Sequence, residues 1–293
     1  ACGRQFTAER QWGRMGDCIA CAPTPNNGRN EMYEFELVKP ATVAEAVAAL
    51  DSEDAQPLAG GQTLLPTMKQ RLAMPEKLVS LTGIAEMKGV RREGDMLVIG
   101  GGTTHATVAR EAADDFPALA ALAARIGDPA VRNRGTIGGS LANNDPSACY
   151  PAAVLGTGAT IVTNTREIAA DDYFQGMFTT ALEEHEIITA VKFPIAQAAR
   201  YEKFIQPASR FPLVAVFVAR FADSVRVAVT GASNDGVFRW TEAEEALSAN
   251  FSAEAVSNLS ASAEGMIADL HGTAAYRAHL IGVMTGRAVK SAA

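Results

Sequence analysis

Two glycine pairs, each at the end of an apolar run, constrain this chain more than any other feature of its sequence. PLAGGQTLLP occupies residues 57–66, and RGTIGGSLANNDPSACYP occupies residues 134–151. A glycine pair permits positive φ and lets a ligand approach where a Cβ would obstruct it. Successive N–H groups in such a turn form an anion-binding concavity, and a helix that starts just after the turn adds the positive end of its dipole. The pattern predicts two such concavities for the two phosphates of a pyrophosphate, with hydroxyl donors from Thr63, Thr136 and Ser140.

A glycine pair taken alone is more often a simple turn, so each loop could also be a turn that binds no phosphate. Neither loop has the G-x-x-x-x-G-K-[ST] pattern of a P-loop, and neither has the G-x-G-x-x-G pattern that opens a Rossmann unit. If a dinucleotide binds, it does so in another architecture. A binding protein that holds some other phosphate ligand and carries out no redox chemistry is the alternative from a different class.

Composition excludes several kinds of partner. The 293 residues carry a formal net charge of −7 and show no basic stripe with interleaved aromatic residues, so nucleic acid is not an expected partner. No apolar run approaches the roughly 18 residues that a membrane span requires. The sequence also lacks a basic start followed by an apolar stretch, so we expect no secretory signal and a cytoplasmic protein.

The residues that usually carry chemistry form no obvious constellation. Cys18 and Cys21 form a CxxC pair, but only Cys2 lies near it and Cys149 is far away, whereas a closed zinc or iron–sulfur site needs about four ligands. We therefore interpret the cysteines as free thiols in a reducing compartment. The four histidines lack metal-ligand spacing, and no G-x-S-x-G elbow occurs. These absences favour a chain whose cofactor carries the chemistry.

The chain divides into four segments. Residues 1–31 show no sustained period of 2 or 3.6 and end in a cluster of Pro, Asn and Gly; we expect this extension to lie outside the fold, with Met32 as a candidate start. Residues 32–87 are predicted to form a small unit of helices and strands, and residues 88–195 a second such unit. Residues 196–293 contain strands followed by helices, which is typical of an α+β domain.

Hydrophobic periodicity places the individual elements. Helices are predicted at residues 43–50 with Thr42 as N-cap, and at 64–72, 104–111, 116–126 and 152–155. Strands are predicted at residues 56–59, 77–81, 96–100, 160–163 and 186–193. The C-terminal segment is predicted to hold three successive antiparallel strands at 201–205, 213–221 and 225–230, and helices at 242–248, 253–270 and 274–289. Glu183, Glu184 and Glu186 are predicted to lie in a solvated loop.

Four motifs, taken together, resemble a known family. They are PLAGGQTLLPTMKQRLAMPEKLVSL, VIGGGTTHATVAR, IGDPAVRNRGTIGGSLANNDPSACYPAAV and YEKFIQPASRFPLVAV. In this order they are similar to the FAD-binding medium subunit of molybdenum hydroxylases, the group that includes the carbon monoxide dehydrogenase medium subunit and the flavin domain of xanthine dehydrogenase. The resemblance covers about residues 32–291. It implies an α+β protein in which two subdomains form an FAD-binding fold of the vanillyl-alcohol-oxidase (PCMH) type, followed by the extra C-terminal domain.

The resemblance also implies where FAD would bind. The pyrophosphate would lie between the two glycine loops, and Lys203 would lie near the isoalloxazine, where a cation could steady negative charge on the reduced ring. Ile188 would pack near the flavin or adenine. The full set of implied cofactor-binding residues is Ala59, Gly60, Gly61, Gln62, Thr63, Ile126, Gly127, Thr136, Ile137, Gly138, Gly139, Ser140, Asn143, Cys149, Ile188 and Lys203.

The sequence departs from the family pattern at two places. The family often has His-Ser where this chain has Gln62 and Thr63, a change that keeps polar groups and the hydroxyl. An aspartate is usual where this chain has Cys149. An aspartate there would accept hydrogen bonds from the cofactor, and a thiol accepts them poorly. The expectation is somewhat weaker FAD retention or a shifted flavin potential.

The family implies partners as well as a cofactor. Electrons would come from a small subunit with two [2Fe–2S] clusters, which a large molybdopterin subunit reduces as it oxidises the substrate. The flavin would pass them to NAD⁺, a quinone or oxygen, and the expected assembly is a dimer of heterotrimers. This chain has too few cysteines to hold those clusters itself. The alternative within the same fold is a stand-alone FAD-dependent oxidase or dehydrogenase.

Overall fold

A computed structural model of the protein describes residues 32–207 and 209–292. The predicted N-terminal extension, including the CxxC pair, lies outside the described residues. Within the described ranges, no helix has the length and apolar character needed to cross a bilayer.

The first unit is built on a small parallel sheet with the strand order β1-β3-β2. Thr42 caps the first helix as predicted, because its hydroxyl accepts a hydrogen bond from the N–H of Glu45 at 3.2 Å. The second helix ends at Lys69, three residues earlier than predicted. The elements are β1 (Glu36–Val38), α1 (Val43–Leu50), β2 (Ala55–Leu58), α2 (Leu64–Lys69) and β3 (Lys77–Ser80).

The second unit is built on a five-stranded sheet whose neighbouring strands all run antiparallel, in the order β4-β5-β10-β6-β7. Short helices connect the strands, and a two-stranded ribbon, β8 with β9, lies beside the sheet. The elements are β4 (Val90–Glu93), β5 (Met96–Gly100), α3 (His105–Glu111), α4 (Pro117–Ala124), α5 (Pro129–Arg134), α6 (Ile137–Asn143), α7 (Tyr150–Thr157), β6 (Thr160–Thr163), β7 (Glu167–Ala169), α8 (Ala170–Tyr173), β8 (Phe174–Gly176), β9 (Thr179–Thr180) and β10 (Ile188–Pro194).

The C-terminal segment forms a four-stranded antiparallel sheet, and the prediction of three strands is therefore wrong. The missed strand has four residues and follows the polar two-residue turn of Asn234 and Asp235. The predicted helix over residues 253–270 is also wrong: only Ala253–Val256 forms a helical turn. Serine and asparagine in this stretch compete for backbone hydrogen bonds, and Gly265 has φ +74°. The elements are β11 (Ala198–Ile205), β12 (Pro212–Arg220), β13 (Val225–Ser233), β14 (Gly236–Arg239), α9 (Thr241–Ala249) and α10 (Ala274–Ala292).

The central strand β12 joins the C-terminal sheet to the second unit. Its first eight residues are buried, because alternate side chains enter two different cores. Val214 and Val216 pack in the core beneath α10, whereas Ala215 and Phe217 pack in the core of the second unit. The C-terminal sheet is therefore fixed against the second unit by shared apolar packing.

Candidate functional site

A deep cleft lies where the two N-terminal units and the C-terminal sheet meet. Its volume is ≈ 1080 Å³, just above the range of roughly 300–1,000 Å³ for sites that enclose a small molecule or cofactor. Fifteen of the sixteen residues implied by the resemblance line the cleft. They are Ala59, Gly60, Gly61, Gln62, Thr63, Ile126, Gly127, Thr136, Gly138, Gly139, Ser140, Asn143, Cys149, Ile188 and Lys203.

The first glycine loop presents unpaired backbone donors. The loop follows β2 and precedes α2, and Gly61 has φ +70°, a left-handed conformation that favours glycine. Within the part of the chain that the structure describes, the N–H groups of residues 60–63 donate no hydrogen bond. Four successive unpaired donors at the start of a helix are suited to an anionic ligand.

The second glycine pair is arranged differently from the prediction. Gly138 and Gly139 lie inside the first turn of α6, instead of in a turn that precedes the helix. Thr136 caps this helix, with its hydroxyl accepting from the N–H of Gly139 at 3.1 Å. Gly138 is needed for close approach, because its N–H bonds to the carbonyl of Gly101 at 2.9 Å and a Cβ would collide with that carbonyl. Ile137 has no exposed side chain and lies in the core, so it does not reach the cleft.

The two glycine loops touch each other. A Cβ on Gly60 would overlap the carbonyl of Arg134 and the backbone of Gly135, and a Cβ on Gly139 would lie 3.4 Å from that of Ala59. Thr136 also pairs with Thr104 in an isolated bridge. The two loops therefore form one continuous wall of the cleft, built from two different units.

A buried cation stands at the C-terminal side of the cleft. Lys203 lies on β11 and is 5% exposed. Its ammonium donates to the carbonyl of Arg125 at 3.0 Å and to Sγ of Cys149 at 3.5 Å. The Arg125 guanidinium in turn donates to the carbonyls of Tyr201 and Lys203. Cys149 immediately precedes α7 and is also 5% exposed, so thiol and amine meet in a place shielded from water.

Burial dominates the electrostatics around this cation. Desolvation lowers the pKa of Lys203, although neighbouring Cys149 opposes the effect. Desolvation, followed by proximity to Cys149, raises the pKa of both Tyr150 and Tyr201. Both phenols therefore stay neutral, and neither hydroxyl has a hydrogen-bond partner within the described residues.

A backbone bend holds Ile126 and Gly127 at the cleft. Gly127 has φ +48°, and one Arg132 nitrogen binds the carbonyls of both Ile126 and Gly127 at 3.0 Å. Asp128 caps the following helix α5 by accepting from the N–H of Val131 at 2.9 Å. The bend is therefore fixed from both sides by charged side chains.

Glu186 also lines the cleft, and its assignment to a solvated loop is wrong. Its side chain is 2% exposed and accepts hydrogen bonds from Thr163, Thr165 and Arg166. The Arg166 hydrogen bond is the largest influence that lowers the pKa of Glu186 to about 2, against the opposing effect of burial. The signal in the sequence is the TNTR turn at residues 163–166, whose polar side chains can surround one carboxylate.

His105 is a second residue that lines the cleft but is not among the cofactor-binding residues that the resemblance implies. It is buried beside Tyr150, with ring centroids 5.3 Å apart, and its Nδ1 atom has no partner within the described residues. Burial, and then Arg132, lower the pKa of His105 to about 4, so the imidazole is neutral at pH 7. Across residues 32–207 and 209–292, no cluster of three or more His, Cys, Asp or Glu side chains is arranged to hold a metal ion.

These donors suit an anionic ligand that also carries hydrogen-bond acceptors. The unpaired N–H groups, the first turn of α6 and the Lys203 ammonium all line the cleft, and this ammonium contacts a carbonyl and a thiol. Such a cleft, between two α/β units and an antiparallel sheet, is suited to an anionic ligand of cofactor size and is built without a Rossmann unit.

The comparisons with known proteins identify the family. The FAD binding domain in molybdopterin dehydrogenase matches residues 33–196. The carbon monoxide dehydrogenase medium chain of Afipia carboxidovorans is 35% identical over 277 residues, which is 88% of this chain and 96% of that protein. The nicotine 6-hydroxylase medium subunit of Paenarthrobacter nicotinovorans is 34% identical over 276 residues, 88% of this chain and 97% of that protein. The chain therefore belongs to the family of FAD-binding medium subunits of molybdopterin dehydrogenases and is a flavoprotein subunit of such an enzyme.

Solved structures agree with this assignment. Reconstituted CO dehydrogenase from Oligotropha carboxidovorans aligns with a TM-score of 0.80 and 32% identity, covering 89% of this chain and 98% of that chain. Quinoline 2-oxidoreductase from Pseudomonas putida 86 aligns with a TM-score of 0.80 and 27% identity over the same shares. The fold therefore extends over the C-terminal sheet as well as the FAD-binding part.

Proposed function

We propose that the cleft binds one FAD and that the chain transfers electrons through it inside a molybdenum hydroxylase complex. The observation that carries this proposal is the run of four unpaired N–H groups at residues 60–63, in contact with the glycine turn of α6. The pyrophosphate would lie along this wall. The first two units would then be the two halves of an FAD-binding fold of the vanillyl-alcohol-oxidase type.

The isoalloxazine would lie at the Lys203 side of the cleft. When bound, FAD supplies a centre that accepts two electrons and can release them singly. The Lys203 ammonium has three donors, of which two are used by Arg125 and Cys149. The third can meet an acceptor on the ring, and the positive charge would stabilise added negative charge there. At the other end, the Glu186 network would hold the backbone beside Ile188 in place for the adenine.

The partners follow from the same proposal. Electrons would arrive from a small subunit with two [2Fe–2S] clusters, after a large molybdopterin subunit has oxidised the substrate. NAD⁺, a quinone or oxygen would accept them from the flavin. The assembly would be a dimer of heterotrimers. Copurification with iron–sulfur and molybdenum subunits is the expected result for this reading, and its absence would favour a stand-alone flavoprotein of the same fold.

The direct test is an absorbance spectrum of the purified chain, with the released cofactor identified by mass. We expect a flavin spectrum and FAD released on denaturation. A colourless protein that also fails to take up added FAD would contradict the proposal. A chain that retains FMN instead of FAD would contradict the assignment of the adenine end.

A further inference from the structure

Lys203 and Cys149 form an unusual pair for a protein interior. Both side chains are 5% exposed, and Nζ and Sγ are 3.5 Å apart. A buried ammonium is normally paired with a carboxylate. Among the described residues, however, Lys203 makes no ion pair, and its remaining partner is the carbonyl of Arg125. The thiol is therefore the one acidic group in contact with the amine.

The surroundings isolate this pair from everything except the cleft. Tyr150 and Tyr201 pack beside Cys149, and their buried hydroxyls have no hydrogen-bond partner within the described residues. Both members of the pair line the cleft, so a small solute that enters the cleft can reach them. The thiol and the amine are therefore in contact with each other and with the same cleft.

The amine is also chemically suited to react. Burial lowers the pKa of Lys203, which increases the fraction that is neutral and nucleophilic. Sulfenic acids condense with thiols to disulfides and with backbone nitrogen to sulfenamides, and a neutral amine in contact with the sulfur can react in the same way. The described part of the chain has Cys149 as its free cysteine, and the amine in contact with its sulfur is that of Lys203.

We propose that hydrogen peroxide converts Cys149 and Lys203 into a covalent sulfur–nitrogen link when the cleft holds no cofactor. In the first step the thiol is oxidised to a sulfenic acid, the peroxide O–O bond breaks and one water leaves. In the second step the Lys203 amine attacks the sulfur, an S–N bond forms and the sulfenic oxygen leaves as a second water. The proposal rests on the proposed function in one respect, since bound FAD would cover the pair and prevent the reaction.

The link would act as an oxidant-sensitive block on cofactor loading. It removes the ammonium that would face the flavin, and it fastens β11 to the start of α7. Two equivalents of a thiol reductant would reverse it, since each S–N bond is cleaved to thiol and amine while one disulfide forms. We expect FAD affinity to fall by roughly tenfold or more on oxidation, the effect of losing one charged hydrogen bond, and to recover after reduction.

The experiment uses the full chain, stripped of FAD, treated with hydrogen peroxide and digested with trypsin. The expected product is a cross-linked pair of peptides, residues 135–166 joined to residues 201–210, with two hydrogens fewer than the sum of the two. The other cysteines fall in residues 1–4 and 15–29, so the assignment is independent of them. Recovery of residues 135–166 as the free thiol, or oxidised without the link, would overturn the proposal.

Two variants separate nucleophilic capture from simple oxidation. Lys203→Arg keeps the positive charge and removes the amine, so we expect no link and a sulfenic acid that dimedone traps at Cys149. Cys149→Ser is expected to give neither product. Dimedone labelling of the wild type equal to that of Lys203→Arg would mean that the amine captures nothing, and would overturn the proposal.

Repeating the experiment with FAD bound distinguishes a failure of this proposal from a failure of the proposed function. The same treatment after saturation with FAD is expected to give no link. If the chain binds FAD but the link still forms at the same rate, the flavin does not lie beside Lys203, although the sulfur–nitrogen chemistry stands. If the chain binds no FAD at all, the proposed function fails and the result for the stripped chain still decides the chemistry.

Discussion

Gly60 lies at the point where the two glycine loops touch, and it has no room for a side chain. A Cβ there would overlap the carbonyl of Arg134 and the backbone of Gly135, neither of which can move as a side chain does. We expect Gly60→Ala to reduce the free energy of unfolding by about 1–3 kcal/mol, as for other overpacked positions. Because the two loops would be pushed apart, FAD affinity should fall as well. Thermal unfolding and FAD titration measure the two effects.

A glycine on α10 provides the matched control. A Cβ on Gly286 would meet no atom within 4 Å, and the residue is helical. Gly286→Ala should therefore leave FAD affinity unchanged and stabilise the helix by roughly 0.5–1 kcal/mol. Equal losses of FAD affinity in the two variants would show that contact between the loops is not what Gly60 provides.

Cys149 lies where a carboxylate could form an ion pair with the buried Lys203. In Cys149→Asp, the new carboxylate would accept a charge-assisted hydrogen bond from Lys203 and offer further acceptor oxygens to the cofactor. We expect FAD to be retained roughly tenfold more tightly, in line with one hydrogen bond to a charged group, or the flavin potential to shift. Titration of the stripped variant with FAD and a redox titration check this. If neither affinity nor potential changes, residue 149 does not influence the cofactor.

Sequence reasoning found residues whose type alone reports on geometry and missed those that depend on packing. Gly60, Gly61 and Gly138 could be selected because glycine is needed where backbones approach closely. Ile137 could not be separated from them, since only the helical phase of α6 directs its side chain into the core. Glu186 was missed because its donors come from the β6–β7 turn, about twenty residues earlier, and no local pattern shows that pairing.

At the scale of elements, the turn between β6 and β7 is tied to the start of β10 by the Glu186 carboxylate. The folded-state pKa of about 2 lies below the ordinary value of 4.5, so the carboxylate stabilises the fold above pH 4.5 and this contribution is lost as the pH falls towards 2. We expect Glu186→Gln to cost about 1–3 kcal/mol at pH 7. The difference from wild type should shrink steadily below pH 4.5. Urea unfolding at a series of pH values measures it.

Glu183 is the control for this network. Its side chain is 74% exposed, although it also approaches Arg166, at 3.2 Å. Glu183→Gln should therefore change the free energy of unfolding by less than about 1 kcal/mol, as for other surface ion pairs, at every pH. A difference between Glu186→Gln and wild type that stays constant from pH 7 to pH 3 would rule out the ionised carboxylate as the source of stability.

Periodic elements were predictable and irregular ones were not. Helix α1 has regular amphipathic spacing and a capping threonine, so both its bounds and its cap were confirmed. Strand β12 also lies close to its predicted range. Its continuous apolar run reflects burial on both faces of the sheet. Residues 257–272 contain alternating small and polar residues, and most of them were predicted to be helical. They do not form a helix, because hydrogen bonds to Asp269 and the positive φ of Gly265 favour turns.

At the scale of the whole molecule, the cleft depends on three parts of the chain staying together. The first unit contributes the loop 59–63, the second contributes α6 and the Glu186 network, and the C-terminal sheet contributes Lys203. The second and third parts share a core through β12, and the first meets the second at the glycine loops and through Ile187, which packs in the core of the first part. A ligand that spans the cleft would therefore stabilise contacts that no single part can make alone.

This arrangement predicts that FAD raises the stability of the protein more than FMN or AMP, the two halves of the cofactor, does. A ligand that binds only the folded state adds about 2.7 kcal/mol when its concentration is 100 times the Kd. That corresponds to a Tm increase of roughly 4–5 °C for a protein of this size. Differential scanning fluorimetry of the stripped chain should show this increase with FAD. FMN or AMP at the same concentration should give a smaller one, because each contacts one end of the cleft and supplies one phosphate. An equal increase with FMN alone would mean that the adenine end contributes nothing, and that the loop 59–63 does not hold the second phosphate.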